Sequence, residues 1–273
     1  MHPGTSYVLR IKNASDGQNN GLDPVSISFT TEGEPAEPPG SEDDPRVAAT
    51  SRFQQLPALR AAPGETALSG QVLKLNGWPL EHVTLEIDGR KVHTDDTGRF
   101  LLRSLAPGHH VLWIDATTAN HDDVRYGVYE VGTTIHAGKT NVLNYTIWMT
   151  KLDMAYAVNI PSPTTGETVI TNPNLPGLEL HLPAGTVITD RYGKVEHQVG
   201  ITPILLDKTP FPLPAGVVVP IYFTIQPGGA YIKVLNPGNG PKEPALNSPK
   251  GARLFLSQWV SSQSRLALYG LEL

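Results

Sequence analysis

Histidine and aspartate residues occur in close pairs between positions 93 and 123, a pattern that can bind a metal ion. Hard cations need several converging oxygen ligands, and transition metals need imidazoles at fixed separations. The aspartates, however, fall in turn sequences such as "TDDTG", where their side chains accept hydrogen bonds from nearby backbone amides. We therefore predict no metal site, and we expect an imidazole of the "HH" pair to bond a carbonyl in a turn. The residues weighed as ligands are His93, Asp95, Asp96, His109, His110, His121, Asp122 and Asp123.

Catalytic chemistry is not indicated either. The chain has no cysteine, which excludes disulfides, thiol nucleophiles and cysteine-ligated zinc. It also lacks the G-x-S-x-G, H-E-x-x-H and G-x-x-x-x-G-K motifs of hydrolases, zinc peptidases and phosphate-binding loops. Serine, histidine and aspartate are present, but a catalytic triad is defined by geometry that a sequence does not show. We predict no enzyme activity, no catalytic residue and no cofactor.

Three aromatic residues are candidates for ligand or interface contacts. Trp78 lies in the turn "NGWPL", where an exposed indole can stack on a sugar ring or dock against a neighbouring module. The alternative, slightly favoured, is that the ring folds back over Pro79 and covers the sheet edge. Tyr126 and Tyr129 in "RYGVYEV" are positions that can pack between modules, which the sequence does not decide. Trp113 and Trp148 fall in strand-like runs and are expected in the core.

Composition and charge narrow the class further. Of 273 residues, 26 are glycine and 25 are proline, which favours many short strands and turns over long helices. The net charge of −5 is carried by the first fifty residues, so the rest of the chain is neutral, with no basic surface for nucleic acid or an anionic membrane. No apolar run approaches the ~18 residues that span a bilayer. The start, "MHPGTSYVLRI", does not have the pattern of a signal peptide. We expect no nucleic-acid partner and no membrane insertion.

Turn sequences divide the chain into short strand-like runs, so we predict an all-β fold of tandem antiparallel β-sandwich domains. "TSYVLRI" and "DPVSISFTT" predict a strand pair at 1–32. The acidic, proline-rich "GEPAEPPGSEDDP" begins a predicted linker at 33–66. Within this linker, "SRFQQ" can form one helical turn. A sandwich of about seven strands at 67–159 shows period-two alternation in "HVTLEID". A second β domain at 160–273 is incomplete or irregular at its C-terminal end.

The order of turns at 68–115 resembles the carboxypeptidase regulatory-like, transthyretin-like sandwich. Its marks in this chain are "LSGQV", "GWPL", "VTL", "TDDTGRF" and "LAPGHH". Gly77 and Gly89 reverse tight turns, Gly98 permits an unusual backbone angle, and Phe100 places an aromatic ring in the core. The resemblance implies a domain that accompanies peptidases without cleaving anything itself.

Other segments resemble parts of large bacterial proteins. The stretch from "YGVYEVGTT" to "VITDRYGK" is similar to the region ahead of the repeat shell in Rhs or YD-repeat proteins. Within and beyond it, "LELHLPAGTVITDRYGKVEHQVGITPI" resembles a ZU5-like β module. Residues 1–31 resemble the last strands of a bacterial Ig-like domain. Because the chain contains no YD repeat, toxin tip or complete Ig-like domain, the resemblance implies a fragment of a larger secreted, surface or cell-envelope protein.

These observations predict a non-catalytic structural module that links or braces the repeat shell of a large secreted or surface protein. Its expected partners are neighbouring domains of the same polypeptide. A carbohydrate-binding module, suggested by Trp78, is one alternative, and its partner would be a glycan. A regulatory domain accompanying a peptidase is the second alternative.

Overall fold

The computed structural model describes residues 6–11, 25–30, 51–214, 216–217, 219, 221–235 and 253–256, and this part of the chain is all-β, as predicted. Its strands are β1 (Ser6–Ile11), β2 (Val25–Thr30), β3 (Ala67–Lys74), β4 (Thr84–Ile87), β5 (Arg90–His93), β6 (Arg99–Arg103), β7 (Gly108–Asp115), β8 (Val128–Ile135), β9 (Thr140–Val142), β10 (Ile147–Met149), β11 (Val158–Asn159), β12 (Thr168–Thr171), β13 (Leu178–Leu182), β14 (Thr186–Thr189), β15 (Gln198–Pro203), β16 (Phe223–Gln226), β17 (Tyr231–Val234) and β18 (Arg253–Leu256). Short 3-10 helices lie at Arg52–Gln55, Ala116–Ala119 and Met154–Tyr156. No helix in these described residues is long and apolar enough to cross a membrane.

The chain divides into two compact units, Met1–Pro39 and Gly40–Leu273. In the first unit, β1 and β2 pair antiparallel, with Ser6 opposite Thr30 and Ile11 opposite Val25. Both strands were predicted from the sequence. The polar loop predicted between them and the acidic start of the predicted linker lie outside the described residues. Everything below concerns the second unit.

Two sheets of the second unit share one hydrophobic core, which we call the first core. One sheet has the order β5-β4-β7-β8, and the other has the order β10-β3-β6, with β9 also paired to β3. The apolar residues Val83, Leu85 and Ile87 are at most 1% exposed. The intervening Thr84 and Glu86 are buried as well, so β4 is covered on both faces and is not the half-buried strand that its period-two alternation predicted. The same core contains Phe100 and Ile147 from the facing sheet. Burial of these apolar side chains holds the two layers together.

The pairing of β3 departs from a purely antiparallel sandwich. On one edge, β3 pairs antiparallel with β6. On its other edge, the first half of β3 pairs parallel with β9 and the second half pairs parallel with β10. Parallel neighbours need a crossover, and here the chain passes through the opposite sheet between β3 and β9. Strand propensity alone does not distinguish parallel from antiparallel neighbours, so this arrangement was not predicted.

The turn "TDDTG" has the role predicted for it. Asp95 Oδ1 accepts hydrogen bonds from the backbone amides of Thr97 and Arg99, both at 2.9 Å. Gly98 adopts a φ of +70°, and a Cβ there would overlap the Val72 carbonyl oxygen. A side chain at this position is therefore excluded both by the backbone angle and by the close approach of β3.

A second hydrophobic core lies at 160–201, formed by three small sheets. Their orders are β12-β13-β18, β11-β15-β16 and β14-β17. Alternating residues of β13, Leu178, Leu180 and Leu182, are almost completely buried. We call this cluster the second core. The described part of this region is built of strands, as the all-β prediction expected, and β18 lies in its C-terminal segment, which was predicted to be incomplete or irregular.

The described part of the predicted linker, 51–66, packs against the first core. Phe53 in its 3-10 helix is 4% exposed. The Arg99 guanidinium donates to the Pro57 carbonyl at 2.9 Å, and the Ala61 amide donates to the Thr140 hydroxyl at 2.9 Å. These contacts fix the segment across the two edge strands β6 and β9.

Candidate functional site

Trp78 lies in the predicted turn, directly after β3, and its indole is half-buried against Phe53. The two ring centroids are 5.3 Å apart and the rings are tilted by 51°. The turn is fixed by the Trp78 amide, which donates to Asn76 Oδ1 at 3.0 Å, and by the Lys74 amide, which donates to the Trp78 carbonyl at 2.8 Å. An intramolecular aromatic partner therefore covers part of the surface that a sugar would need.

Tyr126 and Tyr129 are both buried in the first core, at 2% and 7% exposure. The Tyr126 amide donates to Asn120 Oδ1 at 2.7 Å. Burial raises the pKa of the Tyr129 hydroxyl, so that the group stays neutral under ordinary conditions. Tyr222, which packs against the same core from the second β region, also has its pKa raised by burial, to about 12. Neither Tyr126 nor Tyr129 is exposed to a soluble ligand.

The histidines and aspartates weighed as metal ligands make separate local contacts. His110 Nδ1 lies 2.7 Å from Asp88, and His109 Nδ1 lies 2.9 Å from the Thr134 hydroxyl. The expected carbonyl partner is thus replaced by a carboxylate and a hydroxyl. His121 does bond a carbonyl, that of Ala119, at 3.1 Å. In the described part of the chain, no group of three or more such residues could hold a metal ion.

The two cores are joined by a set of side-chain contacts, which we call the inter-core seam. It is formed on the side of the first core by Trp113, Gly127, Val128 and Trp148, and on the other side by Arg191, Lys208, Gln226 and Gly229. Because polar side chains dominate it, its geometry is set by specific hydrogen bonds and cation–ring contacts rather than by apolar burial alone.

Gln226, at the end of β16, is the most fully bonded side chain of the inter-core seam. Its Oε1 accepts from the amides of Val128 (3.2 Å) and Gly228 (2.7 Å). Its Nε2 donates to the Val128 carbonyl (3.3 Å) and the Thr224 hydroxyl (2.7 Å). The side-chain amide therefore bonds both backbone groups of Val128, as a neighbouring strand would. A Cβ on Gly127 would lie 2.5 Å from Nε2, so only glycine allows this approach.

Two cations extend the inter-core seam over the tryptophans. The Arg191 guanidinium lies 4.0 Å from the centre of the Trp113 ring, and its Nη2 is 3.6 Å from Glu86 Oε1. Lys208 Nζ donates to the Leu75 carbonyl at 2.7 Å and lies 5.5 Å from the centre of the Trp148 ring. Both tryptophans are half-buried on outer faces under these cations, although the sequence placed them in the core.

The segment between β15 and β16 also completes the first core. Ile204 is 6% exposed and belongs to the first core, and Phe211 packs against the same cluster. The Trp148 amide donates to the Thr209 carbonyl at 3.3 Å, and the Ile204 amide donates to the Tyr222 carbonyl at 2.8 Å. The segment that follows β15 therefore contributes side chains to the first core, although it comes after most of the second core in the chain.

A cleft of about 850 Å³ opens between β8 and β9. We call it the β8–β9 cleft. It is lined by the consecutive residues 131–134 of β8 and by 139–145 around β9, with Leu68 and Pro212. Its charged lining residues are Arg60 and Lys139, and among the described residues that line it there is no aspartate or glutamate. Two aromatic rings line it, the exposed imidazole of His136 and the phenol of Tyr145, which is half-buried against the first core.

Compared with known proteins, the chain matches no family model, and no curated protein matches it. The resemblances to the carboxypeptidase regulatory-like, ZU5-like and Rhs families therefore stay predictions.

Sequence reasoning did not identify the residues of the inter-core seam or the β8–β9 cleft. Gln226 stands in "TIQPGG" and Arg191 in "TDRYGK", each next to an ordinary turn signal. Nothing in these patterns indicates that the side chain reaches a strand about one hundred positions away. The one available signal was Trp113 on a strand face opposite the alternating apolar positions, which indicates a covered outer face.

Proposed function

We propose that the chain is a non-catalytic structural module in which two β-sandwich-like domains are fixed to each other by the inter-core seam. In this role it links or braces neighbouring parts of a larger polypeptide. The observation that carries the proposal is the bonding of Gln226 to both backbone groups of Val128. A side chain held by four hydrogen bonds resists rotation of one core against the other more than a flexible linker does.

The sequence resemblances supply the proposed context. A module of this kind, placed between adhesion-type domains and the repeat shell of a secreted, surface or cell-envelope Rhs-like protein, must keep a fixed geometry under load. The partners are then the neighbouring domains of the same polypeptide. The local chemistry is compatible with a structural role, since Asp95 and His121 bond backbone groups in turns and His110 pairs with Asp88.

Single-molecule force unfolding tests the proposal directly. The chain has no cysteine, so the double substitution Ser51→Cys and Leu235→Cys provides unique attachment points for DNA handles. The buried residues of both cores lie between these positions, and only Leu254 of β18, which packs against the second core, lies beyond them. We expect a single unfolding event that releases both cores together. Two separate events in the otherwise unchanged chain would show that the cores are mechanically independent and would refute the proposal.

A further inference from the structure

The outer edge of β8 is capped at one end and open at the other. The amide and carbonyl of Val128 bond Gln226, while the carbonyl of Gly127 accepts from Ala116, which directly follows β7. Backbone groups in a strand point to opposite edges at successive residues. The backbone groups of Gly132 and Thr134 therefore point away from β7, like those of Val128. In the described part of the chain no backbone group bonds them.

The β8–β9 cleft lies along this open edge. Consecutive residues 131–134 line it, whereas a cleft on one face of a sheet would be lined by every second residue. Its opposite wall is likewise made by consecutive residues around β9. Apolar side chains of Leu68, Val131 and Leu143 contribute to the lining between these two walls. The volume of about 850 Å³ falls within the range of about 300–1,000 Å³ that is common for ligand sites.

The charge of the lining selects the kind of ligand. Arg60 and Lys139 are both exposed side chains at the β8–β9 cleft, and no described carboxylate joins them there. This is a local positive charge in a chain whose net charge is −5. Charge complementarity of this kind favours an anionic partner and mainly governs which partner is chosen.

We propose that the β8–β9 cleft binds an acidic peptide segment of a partner protein in extended conformation, which adds to the edge of β8 as a further strand. Its backbone bonds the amides and carbonyls of Gly132 and Thr134, and its carboxylates face Arg60 and Lys139. Strand addition of this type gives affinity through main-chain hydrogen bonds and selectivity through side-chain contacts. A sugar is less well suited, because the described lining contains no tryptophan or phenylalanine and its one tyrosine, Tyr145, is half-buried against the first core.

The test is a titration of the ¹⁵N-labelled full chain with a synthetic peptide of about seven residues, a typical strand length. The probe is acetyl-TEVEIET-amide. We expect shifts at residues 131–134 and slower hydrogen exchange specifically at the amides of Gly132 and Thr134. The amides of the residues that alternate with them are already bonded to β7 and should change less. Replacing both cations by alanine, R60A with K139A, should weaken binding roughly fivefold, as expected for two exposed ion pairs.

Two control peptides and one backbone variant separate strand addition from general attraction. Acetyl-TKVKIKT-amide has the opposite charge, and acetyl-TEPEPET-amide keeps the acids but cannot form a strand ladder. Neither should protect Gly132 or Thr134. Gly132→Pro removes the outward amide without taking a hydrogen bond from β7, and it should abolish binding. The R60A/K139A chain, altered only at exposed side chains, provides the comparison if the proline variant does not fold.

The proposal is overturned by equal binding of the proline-containing acidic peptide, by absence of protection at Gly132 and Thr134, or by absence of binding. It is also overturned if polygalacturonate, an anionic polysaccharide, shifts 131–134 while the acidic strand peptide does not. None of these outcomes bears on the inter-core seam, so the proposed structural role is tested independently.

Discussion

The two ends of β8 show how one strand edge can be used in two ways. At Val128 the side-chain amide of Gln226 occupies the edge and bonds both backbone groups. Four and six residues further on, Gly132 and Thr134 face the β8–β9 cleft, and a Cβ added to Gly132 would meet nothing within 4 Å. The first end is closed by the second core, and the second end is open.

This difference indicates which residues carry stability and which are available to a partner. Unpaired strand edges promote association with other chains, and proteins usually cover or interrupt them. Here Gln226 interrupts the edge with a side chain instead of a strand, so that the rest of β8 keeps a strand-like geometry. Substitutions at the closed end should therefore unfold the protein more easily, whereas equivalent substitutions at the open end should leave stability unchanged.

The largest effect is expected for Gln226→Ala. It removes four hydrogen bonds and leaves the partly buried backbone groups of Val128 without their partner, which we expect to lower the free energy of unfolding by about 3 kcal/mol. Urea denaturation followed by circular dichroism measures this change. Gln198→Ala, an exposed glutamine on the neighbouring strand β15, is the matched control and should change stability by less than about 0.5 kcal/mol. Equal effects of the two substitutions would remove the basis for the inter-core seam.

A glycine pair on the same stretch of chain gives the next largest contrast. In Gly127→Ala the new methyl group would lie 2.5 Å from Gln226 Nε2, so the bonded amide must move, and we expect a loss of about 2 kcal/mol. Gly132→Ala places its methyl group in open space, where the change should be within about 0.5 kcal/mol. Thermal unfolding of the two variants side by side measures the difference. A loss at Gly132 as large as that at Gly127 would contradict the distinction between the two ends.

Arg191→Ala should have a smaller effect than either seam substitution above. It removes the cation over the Trp113 ring and the ion pair with Glu86, whose side chain is 10% exposed. We expect a loss of about 1–2 kcal/mol, since a partly desolvated cation–ring contact is worth that order of free energy. Arg90→Ala, at an exposed position on β5, is the control. Trp113 fluorescence should also shift on loss of Arg191, and an unchanged spectrum would argue against the contact.

Sequence patterns predicted the fold class and most strands because these depend on local information. The strand in "HVTLEID" and the turn chemistry in "TDDTG" are both present in the structure, where Ile87 is buried and Asp95 bonds two backbone amides. The outer face of that strand, which the alternation predicted to be exposed, is covered at Thr84 and Glu86. Trp78 lies in the turn where the sequence placed it, but the environments of the candidate aromatic residues were not decided by the sequence. Trp78 contacts Phe53, a residue twenty-five positions earlier that the sequence placed in a linker.

The inter-core seam could not be predicted because it depends on pairing between distant segments. Gln226 and Val128 are separated by 98 positions, and a glutamine before a proline carries no sign of its partner. The parallel pairing of β9 and β10 with β3 was not predictable for the same reason, since the register between remote strands depends on the packing of the whole domain. Residues whose contacts are local were predictable, and residues that join the two cores were not.

The smallest expected effect is a pH dependence that reveals whether the inter-core seam couples the two cores. His181 on β13 lies 3.1 Å from Glu167 and 2.9 Å from Glu179. Partial burial alone would lower the pKa of its imidazole, but hydrogen bonds and charge from Glu179 and Glu167 outweigh this and raise it. A raised pKa in the folded state means that the protonated imidazole stabilises the fold. This contribution is fully present below the unfolded pKa of about 6.5, while the carboxylates remain ionised, and is lost as the pH rises through the raised value.

The difference in unfolding temperature between the unchanged chain and His181→Gln should therefore be largest at about pH 6, where the carboxylates are ionised and the imidazole is protonated. It should vanish at about pH 9, where the imidazole is neutral. Because the inter-core seam joins the cores, both should lose structure at the same shifted temperature, as followed by residue-specific hydrogen exchange in β7 and β13. In the Gln226→Ala background the shift should be confined to β13, since the first core no longer depends on the second. If the pH-dependent shift in the chain with Gln226 is confined to β13, the closed end of β8 does not couple the cores. If both cores shift together and Gln226→Ala removes this common shift, the coupling is assigned to the Gln226 side chain.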